Sequence, residues 1–288
     1  MDTITPNIVA PGIATHQNPA QRNIVYRSPG QTRGGVTRLV SPGAAGELTK
    51  PFVFLDLFHL QSNAHKMGMH PHSGIATVTV IMDGALEYRE TTGSEGLLPA
   101  GGVEWMSAGG GVWHEGGPVR GGSVRGFQLW LALPPEDENA PSHSQYLPPS
   151  QVEGVGPVRV ILGSHGGARS AIRPRAPINY LHVRLADGER WSYTPPDGHD
   201  VAWVAVADGV LDTSGARLAR EVAVFQPGQG RLDFVAHGAT QFVLGSAPAH
   251  PHPLVTGYYS VHTSQAALER GEAGIDRLGR ELREAGVL

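Results

Sequence analysis

The chain has 288 residues, a net charge of −4 and no cysteine. The length suits two domains. The missing cysteine excludes disulfides, thiolate metal sites and cysteine nucleophiles, and the acidic balance leaves no basic footprint for nucleic acid.

Residues 1–22 are polar and proline-containing and read as an N-terminal arm. They hold no basic patch followed by an apolar run, so no signal peptide is expected. No stretch approaches the roughly 18 apolar residues of a membrane span. The expected setting is the cytoplasm, with no membrane partner and no direct nucleic-acid binding.

Along the chain, 39 glycines and 23 prolines punctuate short apolar runs. Many brief strands joined by tight turns indicate an all-β fold. Strands are expected within 24–40, over 52–58 (apolar except for Asp56), 76–82, 85–90, 103–106 and 127–133. Asp83-Gly84 stands between two of these runs and reads as a hairpin turn. The proline-rich stretch 134–149 reads as an interdomain linker.

Beyond it come strand candidates at 180–185, 201–206, 210–212, 221–225 and 241–244. The run from Val204 to Leu211, with Asp208-Gly209 inside it, echoes the run from Val78 to Leu86, which suggests two copies of one barrel. Apolar residues at near-helical spacing over 264–284 predict a terminal helix. The expected domains are therefore an arm at 1–22, a first barrel at 23–133, a linker at 134–149 and a second barrel with the helix at 150–288, all in a monomer.

The densest chemical signal is His70-Pro71-His72. In a strand, residues i and i+2 face the same way, so both imidazoles point to one side. Proline between them places the pair at a strand start or an edge. A third histidine, His114, follows a glycine run and Val112-Trp113. Two ligands from one strand and a third from another suit a metal in a barrel mouth.

A lone His-x-His is more often structural than metal-binding, and the chain has 14 histidines. His250-Pro251-His252 repeats the letters in a proline-rich segment with no strand after it, and reads as loop. His16, His59, His65, His143, His165, His182, His199, His237 and His262 are isolated and carry no assigned chemistry.

The surroundings of the first pair are distinctive. They run Gly68-Met-His-Pro-His-Ser-Gly-Ile-Ala-Thr-Val-Thr-Val80, then Asp83-Gly84, Glu87-Tyr-Arg89 and Thr92-Gly93. They close with Gly101-Gly-Val-Glu-Trp-Met-Ser-Ala-Gly-Gly-Gly-Val-Trp-His114. This text resembles the pirin family of bicupins, most specifically from Met67 to Leu133.

The resemblance implies two cupin barrels of jelly-roll type in tandem. It also implies a metal, usually iron as Fe(II), held by three histidines and one glutamate in the N-terminal barrel. Zinc, nickel, copper and manganese are the alternatives. His70, His72 and His114 match the three histidines. The family's glutamate position, two residues past the third histidine, is Gly116 here. Glu115 would need a bulge at Gly116-Gly117 to turn inward. Glu104, standing where the family has glutamine, is a second carboxylate and the candidate catalytic base; water is the third option.

Two classes of function follow. One is an oxygenase of the quercetin 2,3-dioxygenase type, acting on a flavonol or a related small aromatic. The other is a non-catalytic, metal-dependent regulator that binds a protein partner, either in transcription or on a metabolic enzyme. Fold cannot choose between them.

Overall fold

The computed structural model describes residues 22–62 and 67–288. Two large antiparallel sheets, of ten and nine strands, dominate it, as the tandem-barrel expectation requires. The first runs in the order His143–Leu147, Val103–Ser107, Ile75–Glu90, Ser123–Ala132, Phe52–Gln61, Val36–Val40 and Gln31–Arg33. The second runs Ile24–Ser28, Val222–Phe225, Val201–Thr213, Leu232–Ala247, Asn179–Leu185, Val158–Leu162 and Gly154–Val155.

The Asp-Gly steps are bends rather than hairpins. Ile75–Glu90 passes through Asp83-Gly84 as one strand, and Val201–Thr213 passes through Asp208-Gly209 in the same way. Gly84 and Gly209 have φ of 75° and 73°, a left-handed backbone that favours glycine. The ladder to Ser123–Ala132 slips at the first bend and the ladder to Leu232–Ala247 slips at the second, as at a bulge that turns a strand round a barrel corner. Past Gly84 the strand takes new partners, Glu95–Pro99 and Val112–Pro118.

Three segments lie outside the domain to which the sequence boundaries assign them. Ile24–Ser28 pairs with Val222–Phe225 in the second sheet. His143–Leu147, inside the expected linker, pairs with Val103–Ser107 and extends the first sheet. The helix Gln265–Glu284, N-capped by Ser264, packs on the first half, where the Trp113 indole donates to the Ile275 carbonyl at 2.9 Å. Local pattern identifies each element, but only long-range pairing assigns it to a sheet.

One apolar cluster runs across the junction, joining Leu39, Phe52, Leu131 and Leu133 to Ile178, Tyr180, Trp203 and Val224. Phe52 meets Trp203 edge-on at 5.4 Å. Shared burial of this kind holds the halves together without a flexible linker.

Candidate metal centre

Among the described residues Met67–His72 pairs only with Val112–Pro118. It is thus an edge strand, where Pro71 costs no ladder hydrogen bond. His70 and His72 share a face, and His70 stands directly opposite His114 in the ladder. The ring centroids lie 4.4 Å (His70–His114), 5.0 Å (His72–His114) and 5.1 Å (His70–His72) apart. One ligand nitrogen from each falls within 4.8 Å of the others. Among the described residues this is the one group of three or more such side chains placed to hold an ion.

The donor set fits a metal. Burial lowers the basicity of all three rings, taking His72 down to about 3. Neutral imidazole, with a lone pair to give, is the ligand form. His70 Nδ1 donates to the Gly68 carbonyl at 2.8 Å and His72 Nδ1 to the Tyr259 carbonyl at 3.0 Å. Such carbonyl contacts fix the tautomer and leave Nε2 for an ion. His114 Nε2 is buried with no hydrogen-bond partner among the described residues.

The two carboxylates part company. Glu115 stands opposite Arg89, and the register from Leu86 to Glu90 against His114 to Pro118 has no slip. The ladder to Met67–His72 slips between Met67 and His70, but the regular ladder on the other side keeps Glu115 alternating away from His114. Its carboxylate instead pairs with Arg89 at 2.7 Å. The structure therefore does not bring Glu115 into the histidine group. Nor does Glu104 join it. Glu104 lies buried on Val103–Ser107 and accepts a hydrogen bond from Thr79. Burial, only partly offset by that bond, raises its carboxyl to about 7.

Both carboxylates and all three histidines line one cavity of about 600 Å³. Its walls are aromatic. Phe54 and Trp130 stack at 4.0 Å, Trp130 meets His72 edge-on at 4.8 Å, and Tyr259 approaches His70 and His72 at 6.2 and 6.1 Å. Asp56, Gln128 and Arg38 line it as well.

Asp56 and Gln128 were within reach of sequence reasoning. Asp56 interrupts an apolar strand, and Gln128 alternates with Trp130 towards the same face. Tyr259 gave no signal, because the hairpin between Val255–Thr256 and Val261–His262 reaches the site only through tertiary folding. That hairpin is pinned by Ser73, whose hydroxyl donates to Ser260 Oγ at 2.8 Å and lies 3.0 Å from His262 Nε2. His250 and His252 lie 5.4 Å apart, with no third ligand beside them among the described residues. His199 Nδ1 is 2.8 Å from Ser246 Oγ.

Residues 35–131 match the family model described as Pirin. A Pseudomonas aeruginosa protein provisionally named quercetin 2,3-dioxygenase is 32% identical over 253 residues, spanning 82% of this chain and 88% of that protein. A Caulobacter vibrioides pirin-like protein is 34% identical over 198 residues, 65% of this chain and 71% of its own length. Among solved structures, a quercetin 2,3-dioxygenase from Acinetobacter baumannii superposes with a TM-score of 0.82 at 24% identity, covering 90% of this chain and 98% of that one. That likeness bears on the fold.

Proposed function

The chain belongs to the pirin family, and from that premise we propose that its first barrel is a metal-dependent oxygenase site of the quercetin 2,3-dioxygenase type. The observation that carries this reading is the convergence of His70, His72 and His114 on an aromatic-walled cavity that also holds a protonatable carboxyl, Glu104. Fe(II) is the proposed ion, because imidazole ligands with open positions suit non-haem iron. When bound, the ion would supply Lewis acidity towards a ring hydroxyl and one-electron chemistry towards dioxygen.

The chain's own residues prepare the substrate. The stacked Phe54–Trp130 pair gives the cavity an apolar aromatic wall against which a substrate ring can pack. Glu104, with a carboxyl near 7, can take up a proton released from a ring hydroxyl at working pH, as general base chemistry requires.

The test loads the full chain anaerobically with Fe(II), Mn(II), Ni(II), Cu(II) or Zn(II) and follows quercetin absorbance and dioxygen uptake. Turnover with at least one redox-active ion, lost in His72→Ala and reduced about 10²-fold or more in Glu104→Gln, supports the proposal. Metal binding without dioxygen uptake for any flavonol would overturn it in favour of a non-catalytic, metal-dependent regulator.

A further inference from the structure

The floor of the cavity carries a row of polar side chains drawn from five neighbouring strands. Strand register sets Arg38 opposite Asp56, Asp56 opposite Gln128, Gln128 opposite Thr79, Thr79 opposite Glu104, and Glu104 opposite Tyr146. Residues directly opposite in an antiparallel ladder project to the same face. Arg38, Asp56, Gln128, Thr79 and Glu104 all line the cavity that holds the histidines.

The row lies one register step from the aromatic row that touches the metal ligands. Trp130, opposite Phe54 and Thr77, is two residues from Gln128 along one strand. Two residues of strand span about 7 Å. That step is comparable to the width of one aromatic ring with its substituents.

The ends of the row are already partnered. Arg38 donates to Asp56 at 2.5 Å, and Thr79 donates to Glu104. Gln128, between them, is only half-buried although its strand neighbours Phe127 and Leu129 are fully buried. Its amide has no hydrogen-bond partner among the described residues. A side-chain amide can both donate and accept, and so can a hydroxyl. A carboxylate would instead meet a floor that already holds two carboxyl groups against one guanidinium.

We infer that Gln128 is the centre of a distal subsite that selects aromatic substrates bearing a neutral hydroxyl about one ring's width from the metal-binding end. This rests on the proposed oxygenase reading and adds a specificity-determining residue to it. A ring without that hydroxyl leaves the Gln128 amide desolvated and unpaired, which is how polar pockets reject apolar analogues.

The experiment uses full-length, zinc-loaded protein, so that binding is read without redox turnover. Tryptophan fluorescence follows titration with quercetin and with 3-hydroxyflavone. The two share the chelating 3-hydroxy-4-keto group, but 3-hydroxyflavone lacks the other ring hydroxyls. Wild type is expected to prefer quercetin by about 10-fold or more. Gln128→Leu, close in size, should erase that preference by weakening quercetin while 3-hydroxyflavone stays within about twofold; Gln128→Ala serves if the leucine variant misfolds. A preference that persists in the variants, or equal binding by wild type, overturns the subsite and leaves the oxygenase reading intact. If neither flavonol binds wild type, the oxygenase reading falls and the subsite falls with it.

Discussion

His72 Nδ1 donates to the carbonyl of Tyr259, a residue 187 positions later in the chain, at 3.0 Å. A ligand on an edge strand of the first sheet is thus oriented by a hairpin that follows the last strand of the second sheet. The hairpin's anchor is buried and polar. Glu138 accepts from the Thr263 amide at 2.6 Å and from its hydroxyl at 2.8 Å, and lies 3.3 Å from His262 Nδ1. Replacing Glu138 with alanine strands those buried donors and is expected to cost about 2–4 kcal/mol in urea unfolding. Through the loosened Tyr259 carbonyl it should also weaken metal affinity about 10-fold. Unchanged affinity in a folded variant would show that the hairpin does not orient His72.

The two His-Pro-His sequences should behave oppositely. His72→Ala removes one of three converging nitrogens and should lower affinity for Zn(II) by more than about 100-fold in calorimetric titration. His252→Ala should leave it unchanged, because His250 and His252 have no third ligand beside them among the described residues.

Glu115→Gln should leave metal affinity within about twofold of wild type, since the Glu115 carboxylate is engaged by Arg89. Arg89 is half-exposed, with 47% of its side chain accessible, and ion pairs of that kind contribute about 0–1 kcal/mol. A large loss of metal in this variant would return Glu115 to the ligand set.

Glu104 should make stability pH-dependent. Its carboxyl titrates near 7 in the folded chain, against an ordinary value of 4.5. Between those values the folded state keeps a proton that the unfolded state has released. This contribution to stability is therefore complete below about 4.5 and is lost as the pH rises through about 7. In metal-free thermal melts, Glu104→Gln should gain on wild type between pH 5 and pH 8, at roughly 2–4 °C per kcal/mol for domains of this size. A constant gap across that range would show that the buried carboxyl is not raised.

The sequence alone determined the class of fold and the histidine pair. Alternating apolar runs between glycines and prolines leave few options but strands, and i,i+2 spacing in a strand must place His70 and His72 on one face. The terminal helix was legible for the same reason, since its period and its Ser264 cap are local. Tertiary structure decided what depends on partners distant in the chain. Asp83-Gly84 and Asp208-Gly209 carry hairpin letters, yet neighbouring strands keep pairing on both sides and turn each step into a bend. Regular pairing against Leu86 to Glu90 set Glu115 beside Arg89 and out of the histidine group, where sequence left a bulge open. Register across four strands set Glu104, Thr79, Gln128 and Asp56 in one row, and the return of a distant hairpin put Tyr259 beside His72. Periodicity encodes which way a side chain faces within its own strand; only the packed fold sets what it faces.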